Sequence, residues 1–357
     1  MTFDFFNVPR IVFGRGVIAR LGEFVPTPSR VMLIYNGGKP EIPHAVEFRQ
    51  RGEPTVSDVD AALALARDAD ADFVIGCGGG SAIDAAKAIA GLLANGGVAS
   101  DYMEVVGKGQ KISNPAIPWI AIPTTAGTGA DVTRNAVIGW PEKKFKASIR
   151  SELLMAKIAL IDPELAVDLP AEVTARSGMD ALCQCIEAYV SMNATPMTDA
   201  VAIKGVELAG RFLKRAFDDG HDLEAREGMA LAALFSGIAL TNAGLGAVHG
   251  FAAPLGANFP VPHGTVCGLL LPHVIDANRA AGAAREKYAD IDRVLPGGLE
   301  RCRDLVRGLG LPSLSSFGVT DADIEPMIQL ARQASSMRYN PVTLVDDALR
   351  EILRKSL

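Results

Sequence analysis

The stretch Val74–Ala90, "VIGCGGGSAIDAAKAIA", decides the fold. It continues an apolar run that opens at Phe73 and stops at glycine, the pattern of a buried strand, and from Ser81 its apolar positions recur at helical spacing. Gly78, Gly79, Gly80 and Ser81 therefore stand at a strand-to-helix junction. Free backbone N–H groups and the positive end of a helix dipole converge there, and glycine lets a phosphate approach the backbone. A pyrophosphate suits such a place, although the pattern is not GxGxxG. Gly79 is expected to admit no side chain, because a Cβ would fill the phosphate's space or force a strained φ.

The same alternation runs outward in both directions. "RVMLIYN" (Arg30–Asn36), "DFVIGC" (Asp72–Cys77), "WIAIPT" (Trp119–Thr124) and "KIALID" (Lys157–Asp162) read as buried strands, and "TVSDVDAALALARDA" and "SAIDAAKAIAGLLA" as helices between them. Strands alternating with helices imply a mostly parallel sheet. A second polar, glycine-rich loop, "IPTTAGTGADVT" (Ile122–Thr133), also follows a strand. Two such loops at carboxyl ends of strands define the crevice where open α/β sheets bind ligands.

Beyond Asp162 the strand signal disappears. "PAEVTARSGMDALCQCIEAYVS", "PMTDAVAIKGVELAGRFLKRAF", "LEAREGMALAALFSGIAL" and "LVDDALREILRKSL" are helical, and several open on the residues of a helix start. The expected organisation is an α/β domain over residues 1–162 and an all-helical domain over residues 163–357. At 357 residues, 49 % hydrophobic and 21 % charged, the chain exceeds the roughly 250 to 300 residues at which single cores stop growing. A net charge of −6 without basic blocks argues against a nucleic-acid partner. No apolar run reaches the ~18 residues of a membrane span and no signal peptide is visible, so a cytoplasmic protein is expected. The five cysteines form no CxxC pair and read as reduced core thiols, with Cys183-x-Cys185 as packing.

Two of the five histidines, His249 and His263, lie in "GAVHGFAAPLGANFPVPHGTVCG". A lone histidine in an apolar segment is usually a hydrogen-bonded core residue. Here Asp180 is also embedded in an apolar helix, "SGMDALCQCIEAYVS" (Ser177–Ser191), and a buried carboxylate needs a cation or several donors. Two imidazoles and one carboxylate form the ligand set that leaves a divalent metal an open position. His44, His221 and His273 read as structural or surface residues.

These motifs together resemble the iron-dependent alcohol dehydrogenase family, which includes glycerol dehydrogenases and maleylacetate reductases. "GGGSAIDAAKAIA", "IPTTAGTGADVT", "GMDALCQCIEAYVS", "PMTDAVAI", "GAVHGFAAPLG" and "VPHG" occur in its order, from about residue 10 to the C-terminus. The resemblance implies a dehydroquinate synthase-like architecture: an α/β dinucleotide-binding domain and an all-α domain, with nicotinamide and metal meeting between them. It further implies that Gly78, Gly79, Gly80 and Ser81 bind the pyrophosphate with Asp84 close behind, and that Thr124, Thr125, Thr128 and Gly129 line the phosphate, ribose and nicotinamide. The metal, iron or zinc, would be held by Asp180, His249 and His263. Small alcohols and their carbonyl compounds would be substrates, NADP or NAD the cofactor, and a homo-oligomer such as a dimer the assembly.

Three departures from the family pattern stand out. Gln184 replaces a metal-binding histidine and is expected to hold a water or substrate hydroxyl. Ala253 replaces a histidine thought to move a proton. The segment "GGKPEIPH" after Asn36 is too short for a helical crossover, and Asn36 itself stands where an acidic residue would meet the adenosine ribose. Lys39 then becomes a candidate for a 2′-phosphate, which favours NADP at least as much as NAD. Rival readings are a maleylacetate reductase, a dehydroquinate synthase-like lyase, and an idle cofactor-binding relative.

Overall fold

The computed structural model describes residues 2–357 in two compact units. One comprises Phe6–Thr125 and Gly129–Ala166; the other comprises residues 2–5, Ala126–Thr128 and Val167–Leu357. The main changeover thus falls between Ala166 and Val167, and three residues of the second glycine-rich loop belong to the helical unit.

The first unit contains, in chain order, β1 (Ile11–Phe13), β2 (Val31–Tyr35), β3 (Val46–Arg49), α1 (Val56–Asp68), β4 (Phe73–Gly78), α2 (Gly80–Asn95), α3 (Ala99–Tyr102), β5 (Trp119–Pro123), β6 (Asn135–Trp140), β7 (Phe145–Arg150) and β8 (Ile158–Ile161). Six strands form one sheet in the order β1-β8-β5-β4-β2-β3, every pair parallel. β6 and β7 make a separate antiparallel hairpin. The central strands β2, β4, β5 and β8 are apolar throughout and buried on both faces, which is why they read as continuous runs. α1 begins at a reciprocal cap, in which Thr55 Oγ1 accepts from the Asp58 N–H (3.2 Å) and Asp58 Oδ2 from the Thr55 N–H (3.0 Å).

Residues 36–45 contain no helix, yet β3 pairs with β2 in parallel. Coil alone carries the chain between adjacent parallel strands. β1 and the hairpin lie outside the expected elements: β1 is three residues long, and β6 is only partly buried.

The second unit is helical: α4 (Ala171–Val190), α5 (Pro196–Asp218), α6 (Leu223–Ala243), α7 (Ala247–Asn258), α8 (His263–Ala280), α9 (Arg285–Val294), α10 (Arg301–Gly308), α11 (Ile324–Gln333) and α12 (Asp346–Arg354). α4 packs against α5, α6 and α8, which buries nearly its whole circumference from Gly178 to Val190. Polar side chains on α4 must therefore find partners inside the unit. No single helix among the described residues is long and apolar enough to cross a membrane. All five cysteines are buried and free.

Candidate active site

At the end of β4 the strict backbone requirement falls on Gly78 rather than Gly79. Gly78 has φ +150°, and a Cβ there would lie 2.0 Å from Asn36 Oδ1 and 2.9 Å from the Ala82 Cβ. Gly79 has an ordinary φ of −72°, and its Cβ would meet Thr125 at 3.3 Å, a tight but adjustable contact. The expectation of strain at Gly79 is corrected accordingly. Asn36 Oδ1 accepts the Gly79 N–H (2.8 Å) and the Thr124 N–H donates to the Gly78 carbonyl (2.9 Å), so both neighbouring strand ends fix the turn. Asn36 thus shapes the loop. Gly80 and Ser81 open α2, where N–H groups have no acceptor within the helix. These two remain available to an anion.

Asp84 lies one turn into α2, but its carboxylate is committed elsewhere. Oδ2 accepts from the Val137 N–H (3.1 Å) and Oδ1 faces Lys87 Nζ at 3.5 Å. Lys87 is fully buried and donates to the Ala130 carbonyl (2.8 Å), Thr133 Oγ1 (2.7 Å) and the Asn135 carbonyl (2.7 Å), which accounts for all three ammonium protons. Burial lowers its pKa, and Asp84 and Asp131 oppose that shift. Lys87 thereby ties α2 to the second half of the second glycine-rich loop and to the first residue of β6, a role outside the sequence reading. Gly129, at φ +60°, starts the short turn Ala130–Val132 of that loop. Thr128 belongs with Ala126 and Gly127 to the helical unit, where a Cβ on Gly127 would stand 2.7 Å from the Ser177 Cβ.

Within the helical unit three sequence-distant elements meet around Asp180. His249 is the third residue of α7, and His263 is the first of α8, after Pro262. Asp180 Oδ1 lies 3.2 Å from His249 Nε2 and 3.7 Å from His263 Nε2. The other ring nitrogen of His249, Nδ1, lies 2.6 Å from Glu187 Oε2, while Glu187 Oε1 accepts the Val248 N–H at 2.7 Å. Glu187 is thus an anion at the N-terminus of α7 and a partner for the imidazole on it. With its proton on Nδ1, a neutral His249 turns the Nε2 lone pair toward a carboxylate oxygen. Such a contact is repulsive unless a proton or a cation sits between the two atoms. A proton on Nε2 makes the contact an ion pair; the same donors, with a carboxylate on the far nitrogen as the usual support of a metal-bound imidazole, also fit a divalent metal.

The charge states follow the same logic. Burial raises the Asp180 pKa, Cys267 adds to the rise, and the two imidazoles oppose it. For His249 burial acts downward, but Cys267, Asp180 and Glu187 together hold it well above its ordinary value. The side chain of His263 is 37 % exposed, against 7 % for His249 and 3 % for Asp180, so solvent reaches the cluster from the His263 side.

Gln184 does not complete this set with an imidazole's chemistry. Its Oε1 lies 2.8 Å from Ser236 Oγ on α6, whose single hydroxyl proton is shared with the Ala233 carbonyl at the same distance, so the amide oxygen keeps acceptor capacity. Two residues that the sequence reading passed over do belong here. Glu187 is seven residues beyond Asp180 on α4, and Cys267 is one turn beyond His263 on α8. Ligand atoms of Asp180, His249, His263 and Cys267 all lie within 4.8 Å of one another. Helical register was the available signal for both.

The chain matches the iron-containing alcohol dehydrogenase family over residues 9–163 and the C-terminal region of the Fe-containing alcohol dehydrogenase family over residues 174–357. It is 38 % identical to alcohol dehydrogenase 4 of Schizosaccharomyces pombe, across 85 % of this chain and 73 % of that protein. It is 32 % identical to the NAD-dependent methanol dehydrogenase of Bacillus methanolicus, across 99 % and 100 % of the two chains. Among solved structures, 1,3-propanediol oxidoreductase superposes with a TM-score of 0.92 at 30 % identity over the whole of both chains.

Proposed function

The chain belongs to the iron-containing alcohol dehydrogenase family, and from that premise we propose that Asp180, His249 and His263 hold its divalent metal while the loops after β4 and β5 hold NAD(H). The enzyme interconverts an alcohol and its aldehyde or ketone by hydride exchange with a nicotinamide cofactor. The metal reading rests on one observation: Asp180 Oδ1 faces His249 Nε2 at 3.2 Å while His249 Nδ1 is engaged by Glu187.

When bound, the metal supplies a Lewis acid for the substrate oxygen and the nicotinamide supplies or accepts the hydride. The chain's own residues do the rest. Gly80 and Ser81 offer the N–H groups for the pyrophosphate, and Gly78, Asn36 and Thr124 hold that turn in shape. Asp180 and His249 are shut away from water, so the substrate oxygen enters on the side of the more exposed His263. Ala253 carries no titratable group and cannot take the alcohol proton. Lys39 is paired with Glu47 and lies 5.2 Å from the Tyr35 ring centroid, an arrangement that neutralises this cation and sets a carboxylate beside it. This favours NAD(H) over NADP(H), in place of the parity that Lys39 alone suggested.

The test combines metal analysis of the purified protein with an alcohol and aldehyde panel run with both cofactors, before and after chelation. About one divalent ion per chain is expected, with activity lost on chelation while the fold persists, and with no turnover in His263→Ala. Full turnover by metal-free protein would overturn the reading.

A further inference from the structure

We infer that Cys267 is a fourth protein ligand of this metal, so that the site consists of one carboxylate, two imidazoles and one thiolate and a substrate oxygen would enter as a fifth neighbour. The inference rests on the metal reading above and adds a donor from α8 to a set in which Gln184 of α4 brings no imidazole.

The geometry carries it. Tetrahedral coordination with bonds of about 2.0 to 2.3 Å spaces the ligand atoms roughly 3.3 to 3.8 Å apart. Three separations here fall in or beside that range: Asp180 Oδ1 to His249 Nε2 at 3.2 Å, Asp180 Oδ1 to His263 Nε2 at 3.7 Å, and His249 Nε2 to Cys267 Sγ at 3.7 Å. One turn of α8 separates His263 from Cys267 and puts both on one face. A second sulfur is nearby but on the wrong side of the ring. Cys183 Sγ lies 3.9 Å from His249 Nδ1, the nitrogen that Glu187 occupies with a 2.6 Å hydrogen bond. Gln184 offers only an amide oxygen, a poor ligand for a transition metal. Cys267 is therefore the only sulfur among the described residues that shares the Nε2 face of His249 with Asp180.

The chemistry of this donor set differs from an aspartate with three histidines. One carboxylate and one thiolate together balance the charge of a divalent ion, and a soft sulfur ligand shifts preference toward zinc and away from iron.

Cobalt(II) substitution reads the sulfur directly. Apoprotein prepared from the full chain is titrated with Co²⁺ and its absorption followed in the visible and near-ultraviolet. The expected result is ligand-field bands accompanied by an intense thiolate-to-cobalt charge-transfer band that saturates at about one Co²⁺ per chain. Cys267→Ser should keep the ligand-field bands, lose the charge-transfer band, and hold zinc at least about tenfold more weakly, since even residues that only support a ligand cost that much. Cys183→Ser should keep the band. Ligand-field bands without charge transfer in the wild-type protein would overturn the assignment of Cys267 and leave the three-residue site standing, and this needs no variant to fold. Loss of the band in Cys183→Ser but not in Cys267→Ser would also overturn it. Absence of any cobalt spectrum would remove the metal reading and this inference together.

Discussion

Glu187 Oε2 lies 2.6 Å from His249 Nδ1 while Glu187 Oε1 takes the Val248 N–H at 2.7 Å, so one carboxylate both caps α7 and fixes the tautomer of an imidazole on it. Glu187→Gln keeps the shape and removes the charge. Metal affinity should fall by about 10- to 100-fold, the usual cost of losing the partner of a metal-bound imidazole. Competition against a chromophoric chelator measures this; an unchanged affinity would mean that His249 does not bind through Nε2.

The two glycines of the β4–α2 turn should differ sharply. Gly78→Ala puts a methyl 2.0 Å from Asn36 Oδ1 at φ +150°, and cofactor affinity should drop by more than about tenfold, with some loss of stability. Gly79→Ala meets only Thr125 at 3.3 Å and should cost much less. Titration of each variant with NAD⁺ gives the order, and a larger loss at Gly79 would show that the phosphate needs that space more than the turn needs Gly78.

What could be read from the sequence followed burial. β2, β4, β5 and β8 announce themselves because both faces are covered, whereas β1 is too short and β6 too exposed to stand out. Asp180, His249 and His263 were legible because histidine is scarce and a carboxylate in an apolar helix is costly. Cys267 was not, since cysteine is an ordinary core residue and only its place one turn after His263 marks it. In the sequence Lys87 is one polar position on α2 with nothing to set it apart. Its acceptors come from residues 43 to 48 positions away, a relation that no local pattern records.

On the proposed reading, cofactor choice turns on Lys39 and Glu47. NAD⁺ should bind at least about tenfold more tightly than NADP⁺, a difference of about 1.4 kcal/mol. Glu47→Gln frees Lys39 and removes a negative charge, so it should narrow that ratio. Calorimetric titration with both cofactors decides; equal affinities in the wild-type protein would sink the preference.

Asp131 supplies a pH signature of the first unit. Burial raises its pKa from 3.8 to about 6, against the opposing effect of Lys87, and its Oδ2 has no hydrogen-bond partner. Because the folded value lies above the unfolded one, the favourable contribution is complete below pH 3.8 and disappears as pH rises through about 6. The stability advantage of the wild-type protein over Asp131→Asn should therefore shrink by up to about 3 kcal/mol between pH 4 and pH 7. Urea unfolding of both proteins across that range measures it, and a difference that does not vary with pH would refute the shift.

Ala126–Thr128 belong to the helical unit although the residues on either side of them belong to the sheet unit. A gene fragment ending near residue 162 would encode a sheet unit carrying three residues of its neighbour, and the complementary fragment would lack them, along with residues 2–5. Chimeras of related chains should exchange the helical unit with least loss of stability when residues 2–5, Ala126–Thr128 and Val167–Leu357 travel together, since a single breakpoint after Ala166 leaves the first two segments behind.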